Sequence, residues 1–160
     1  MKKKNLFLGL ALVLPVLVFV FLKYFGKNQF EIPVYHQSIV DRIEGCDLDY
    51  QAPYKVPDST LISLGWDSKR AILILFHAMS GENKLRLEQE VQQSKLQVVL
   101  NEVGGEGASG KLFSCVLLLP NKFNAVLVDD QKQIRGYYEI DSREELDRLL
   151  VELKILFNEY

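Results

Sequence analysis

Cys46, Cys115, His36, His77 and Met79 are the side chains of this sequence best suited to bind a soft metal or exchange electrons. A thiolate is both a nucleophile and a Cu(I) ligand, an imidazole ligates metals or moves protons, and a thioether adds a weak soft donor. Their spacing does not build a local site. Cys46 and Cys115 are the only cysteines and stand far apart, so they are either a structural disulfide that staples an N-terminal connector to the core or two separate thiols. A catalytic thiol is disfavoured, because Cys115 lies in the apolar run LFSCVLLL, where burial raises a thiol pKa. His77 and Met79 follow an apolar stretch and would make a copper set only with Cys46 or Cys115 as a further ligand. The simpler expectation is that His77 closes a strand and Met79 fills a packing gap. His36 has no partner at ligand spacing and reads as a surface residue, and two histidines without adjacent carboxylates are a poor zinc set.

Carboxylates and small residues offer little more. Asp129 and Asp130, like Asp47 and Asp49, invite an acid–base or cation reading, but adjacent acids in a hairpin turn are expected to be solvated turn residues that bond their own backbone. The glycine-rich run 104–110 lacks the G-K-[ST] ending of a phosphate loop and reads as a flexible loop. Ser109 and Ser114 have no nucleophile-elbow context.

The chain of 160 residues, 48% hydrophobic and 25% charged, has globular composition with room for one domain and an appendage. Its apolar residues are unevenly spread. Leu6 to Leu22 carries no charge and is bounded by Lys2, Lys3 and Lys4 on one side and Lys23 on the other. As a helix this run covers about 26 Å, short of a hydrocarbon core of roughly 30 Å, and Lys23 with Tyr24 and Phe25 extends it through the interface. The sequence after it has no A-x-A cleavage pattern, which favours a retained transmembrane anchor over a cleaved signal peptide. The lysines before it put the N-terminus in the cytoplasm and the remainder on the periplasmic or extracytoplasmic side of the inner membrane. Four of the 19 basic residues belong to this anchor, leaving 15 against 21 acidic ones, a balance of −6. An acidic domain of this kind is not expected to bind nucleic acid.

The organisation read from the chain is an anchor over 1–25, an extended connector over 26–58 lying across the domain, and a folded domain over 59–160. Within it, Thr60 to Leu64 and Ala71 to His77 read as strands joined by a turn, the second hydrophobic enough to be a central strand covered on both faces. A helix follows from Ser80, its cap, to about Ser94, with Leu87 and Val91 inward, and Leu96 to Val103 is a strand that implies a parallel crossover. Leu112 to Leu119 is an apolar run ending at Pro120. The most legible stretch is Phe123 to Phe157: strand, polar turn, strand, then a helix whose Leu146, Leu149, Leu150, Leu153, Leu156 and Phe157 make one apolar stripe. Ser142 and Glu145 stand in the capping-box spacing ahead of that helix.

This order is α/β, a thioredoxin-like central sheet with flanking helices preceded by a transmembrane helix. Together with the Tyr54-Lys55-Val56-Pro57-Asp58 segment, the AILILF strand, AVLVDDQKQIRGYY and the terminal LLVELKIL helix, it resembles the Sco/SenC family. These are membrane-anchored thioredoxin-like proteins that assist copper insertion into cytochrome c oxidase. The LVDD…IRGYY pattern also suits related thioredoxin-fold families of the peroxiredoxin-like and TlpA-like kinds. The resemblance implies a C-x-x-x-C motif just after the central strand and a histidine just before the final hairpin. Here the first window, Phe76 to Lys84, has no cysteine, and the second, Pro120 to Val126, has Asn121 and Asn124 but no histidine. The expectation is therefore a non-catalytic, membrane-anchored Sco-like interaction or assembly module, with a protein partner and no cofactor. The rival expectation is an active copper chaperone or thiol–disulfide oxidoreductase using Cys46, His77, Met79 and Cys115.

Overall fold

A computed structural model of the chain describes residues 13–21, 23, 31–38, 43–76, 79, 81–93, 98–103 and 109–157. The contacts divide it into two units, Met1–Phe30 and Glu31–Tyr160. In the first, residues 13–21 are helical with all their large apolar side chains exposed. No helix among the described residues is long and apolar enough to cross a membrane. The rest of the expected span, Leu6 to Leu12 and Leu22, lies outside the described residues.

The second unit is a mixed α/β fold. Helix α1 (Asp58–Ser63) leads to strand β1 (Ala71–Leu75), helix α2 (Gly81–Gln93) and strand β2 (Val98–Glu102). A helical turn (Ser109–Lys111) then runs into a π-helix (Leu112–Val116), followed by β3 (Ala125–Val128), β4 (Ile134–Tyr138) and α3 (Arg143–Leu156). The sheet order is β2-β1-β3-β4, with β1 parallel to β2 and antiparallel to β3, and β3 antiparallel to β4. Parallel pairing across α2 agrees with the expected crossover, and β1 is buried along its whole length as a central strand should be.

Alternate residues of β1 belong to two cores. Ile72 and Ile74 join one cluster, with Val126, Val128, Ile134, the π-helix and residues of the 43–57 segment. Ala71, Leu73 and Leu75 join the other, with Leu87 of α2 and Leu146, Leu149, Leu150 and Leu153 of α3. Period-two side-chain alternation puts these clusters on opposite faces. A β-bulge keeps the faces in register, since Leu127 opposes Gly136 while Val128 opposes Ile134, leaving Arg135 as the extra residue. Without it Ile134 and Tyr137, three residues apart, would point to different cores.

Thr60 to Leu64 is not a strand. Pro57, at φ −59°, stands at the helix N-cap, Asp58 sits in the first turn, and Leu61 and Leu64 are buried at three-residue spacing while Ile62 between them is exposed. Gly65 takes φ +82° and closes the helix in a Schellman arrangement: the Gly65 N–H donates to the Ile62 carbonyl and the Trp66 N–H to that of Leu61. Residues 109 and 110 of the expected loop likewise start the turn that leads into the π-helix, with 104–108 outside the described residues. Ser142 occupies the α3 N-cap but its side chain makes no cap bond, and the reciprocal half of the box is replaced too: the Glu145 carboxylate accepts from Arg148 at 2.8 Å and the Ser142 N–H donates to the Glu139 carbonyl. The expected cap Ser80 lies outside the described residues.

Asn124 and Gly136 hold the hairpin to its surroundings. The Asn124 amide nitrogen donates to Asp141 at 2.9 Å, its side-chain oxygen accepts from the Ile140 N–H, and its backbone pairs with Phe76 and Tyr138, so one buried residue links β1, β4 and the approach to α3. Gly136 leaves room for the Tyr138 ring to lie across the strand, since a Cβ there would meet Tyr138 Oη at 2.2 Å. That ring is fully buried, donates to Glu152 at 2.5 Å and carries Arg148 over its face at 4.7 Å. Gly136→Ala should lower stability by about 1–3 kcal/mol through forced displacement of this ring. Urea unfolding measures it, and an unchanged midpoint would show that Tyr138 does not occupy the space over Gly136.

Candidate functional site

The residues with chemical potential divide between the two sheet faces. Cys46 and Cys115 are joined in a disulfide with Cα atoms 5.5 Å apart, and both are buried in the cluster that contains Ile72 and Ile74. Met79 is buried in the cluster of the opposite face. His77 lies outside the described residues. The fold therefore unites the two cysteines and separates them from Met79.

What surrounds the disulfide follows from the winding of residues 112–117. In a π-helix each N–H reaches the carbonyl five residues back, as Leu117 N–H does to Leu112, and the carbonyls of its last turn have no partner inside the helix. Buried without partners they would each cost about 1–3 kcal/mol. Three tyrosines supply the missing donors in succession. Tyr50 Oη donates to the Cys115 carbonyl at 2.9 Å, Tyr54 Oη to Val116 at 2.6 Å, and Tyr137 Oη to Leu117 at 3.0 Å.

His36 completes this network. It is half-buried rather than on the surface, with a left-handed backbone at φ +56° and its Nε2 2.9 Å from Tyr137 Oη. Because that hydroxyl already donates to Leu117, Nε2 must carry the proton and donate, which fixes the tautomer. The rings of Tyr54 and Tyr137 stand edge-on to the imidazole at 6.4 and 6.2 Å, and Tyr35 packs on Tyr137 at 5.2 Å. Burial lowers the His36 pKa below its ordinary value. It raises the phenols of Tyr50 and Tyr137, and pushes Tyr54 up to about 12, with the neighbouring Tyr50 adding to the effect. At neutral pH these groups are a neutral imidazole and protonated phenols, which suit hydrogen-bond donation and not proton abstraction.

Two other places were suggested by residue type. Asp129 is buried, not solvated: its Oδ1 accepts the N–H groups of Gln131 and Gln133 at 2.9 and 2.8 Å, and its other oxygen faces the bulged Arg135 at 3.5 Å. Burial raises its pKa against the pull of those donors and of Arg135. Its oxygens are occupied in organising the hairpin turn, while Asp130 is exposed. Beside α2, a cleft of about 280 Å³ has Leu75, Met79, Leu87 and Leu100 along its walls, with Lys84 bonded to Glu102 at 2.6 Å. Among the described residues no group of three His, Cys, Asp or Glu side chains could hold a metal ion.

The tyrosines and the environment of His36 were missed by reasoning from sequence. One signal was present, since Tyr50 and Tyr54 are spaced four apart in a segment otherwise without helical period, but their acceptors lie more than 60 residues away. No protein-family model matches the chain, and the comparison with curated proteins gives no match.

The His36 geometry carries a pH dependence. A lowered native pKa means that the unfolded chain binds more protons, so the contribution of His36 is full above the unfolded value near 6.5 and is lost as pH falls from there through the lower native value. Unfolding midpoints measured between pH 7.5 and 5.5 should fall with pH, and in His36→Asn, whose side chain does not titrate, the fall should shrink. An identical slope in the variant would remove His36 as its source. Tyr137→Phe, which deletes both the donor to Leu117 and the acceptor for His36, should cost about 1–3 kcal/mol in a urea titration.

Proposed function

We propose that this chain is a non-catalytic, membrane-anchored, thioredoxin-like protein of Sco-like type, acting outside the cytoplasm as an interaction or assembly module, with respiratory oxidase assembly the process its sequence resemblance suggests. The sheet order β2-β1-β3-β4, a helix between β1 and β2, helical turns between β2 and β3, and a terminal helix after the hairpin agree with a thioredoxin-like arrangement. A fold hosts many functions, and the chemistry of the site distinguishes among them.

The observation that carries it is the fate of the thiols. Both cysteines are consumed in one buried bond, on the face opposite Met79. A redox or copper site of thioredoxin-like type needs a reachable thiolate near the end of the first central strand, and a disulfide sulfur in a core is neither a nucleophile nor a Cu(I) thiolate ligand. A stable buried disulfide also suits an oxidising compartment, in keeping with the lysine-flanked apolar run at the N-terminus.

Three measurements test this reading. A thiol probe applied to the denatured chain should find no free thiol before reduction and two after it. The oxidised chain titrated with Cu(I) against a competing chelator should show no tight one-to-one complex, and it should not accelerate reduction of a disulfide substrate. Tight stoichiometric copper binding or reductase turnover would instead establish the active chaperone or oxidoreductase. For orientation, a reporter that matures only outside the cytoplasm should be active when fused after Tyr160, and silence would reverse the topology.

A further inference from the structure

We propose that residues 43–57 form a redox-controlled strap, which a dithiol releases from the sheet by reducing Cys46–Cys115 while the sheet and its two long helices stay folded. The segment has no strand or helix beyond a turn at 44–45. Its backbone is tied outward by the Tyr54 N–H to His36 and the Val56 N–H to Lys132. Among the described residues its side chains add Tyr50 and Tyr54 on the carbonyls of Cys115 and Val116, the apolar contacts of Ile43, Leu48, Tyr50, Tyr54 and Val56, the edge of Tyr54 on His36, and the disulfide. A segment without a ladder of its own depends on scattered contacts, and cutting the covalent tie sets its ordering entropy against those contacts alone.

The rest of the domain does not share this dependence. The cluster formed by Leu73, Leu87, Leu127, Tyr138 and the leucines of α3 contains no residue of 43–57. Two cores on opposite faces of one sheet, only one of them covered by the strap, are the arrangement in which part of a fold opens while the remainder holds. Release leaves the Cys115 and Val116 carbonyls without their tyrosine donors and removes Tyr50, Tyr54 and Val56 from the cluster that contains Ile72, Ile74 and Val126, while Tyr137 of β4 still holds the Leu117 carbonyl.

The chemistry is ordinary exchange. A thiolate of the dithiol attacks one sulfur of the bond, the S–S bond breaks and the other cysteine leaves as a thiolate. The second thiol of the reductant then displaces the bound cysteine, so the reductant ends as a disulfide and its two protons reside on Cys46 and Cys115. Both sulfurs are enclosed, with Cys46 at 5% and Cys115 at 7% exposure, so attack follows a partial lifting of the strap, and the oxidised strap resists casual reduction.

Hydrogen exchange on the 160-residue chain in detergent, oxidised and after dithiothreitol, tests the proposal. The amides of Tyr54 and Val56 should exchange at least tenfold faster after reduction, while those of β1 and α3 keep their protection. The Cys46→Ser/Cys115→Ser variant should reproduce the reduced pattern without reductant. Uniform loss of protection, or a variant that fails to fold, would make the bond a staple of the whole domain and overturn the strap. Unchanged exchange at Tyr54 and Val56 would overturn it equally, because non-covalent contacts alone would then suffice.

Discussion

The unpaired carbonyls at the end of the π-helix are the constraint on which one half of this structure depends. A helix wound five residues per hydrogen bond ends with acceptors it cannot satisfy, and here three of them, at Cys115, Val116 and Leu117, are turned into the protein. Long side chains with a terminal hydroxyl reach them. Tyr50 and Tyr54 come from the segment before the domain's first helix and Tyr137 from β4, so satisfying three adjacent acceptors brings together parts of the chain remote in sequence. The Cys46–Cys115 bond sits at the same junction and makes the association covalent.

The opposite face is assembled on a different principle. It is a sheet covered by two amphipathic helices, with Leu73, Leu87 and Leu149 typical of its wholly apolar filling. Polar groups enter at the margin, where Tyr138 bonds Glu152 and Arg148 reaches the Tyr137 carbonyl at 2.5 Å. The pairs between α2 and α3, Arg86 with Asp147 and Lys154 with Glu90, are exposed enough to be worth well under about 1 kcal/mol each. Hydrophobic burial holds this side, whereas the other needs hydrogen bonds and a disulfide to hold an irregular segment in place. That difference in support makes a two-stage response to reduction physically sensible.

The parts of the fold legible in the sequence are those whose signals are local. β1 announces itself by five consecutive apolar residues, α3 by leucines at three- and four-residue spacing, and the β3–β4 hairpin by a polar turn between β-rich runs. Thr60 to Leu64 misled because its apolar composition outweighed its punctuation: proline ahead, aspartate in the first turn and glycine behind are helix signals, and the buried residues are three apart. Asp129 misled in the other direction, since an acid in a turn is usually solvated, and only its pairing with the bulged Arg135 and two backbone donors makes burial tolerable.

By itself the sequence determined the αβ character of the domain, its parallel crossover, its terminal hairpin and helix, and the absence of cysteine from the window after the central strand. Each depends on residue type or on periodicity within a dozen positions. Tertiary structure alone decided that the two cysteines meet, that Met79 lies on the far face from them, that His36 is an interior donor, and that three tyrosines close one helix end. The disulfide, the Tyr50 and Tyr54 bonds and the His36–Tyr137 bond each join residues separated by more than 60 positions. They depend on which face of the sheet each side chain reaches, and a bulge at Arg135 is enough to change that face.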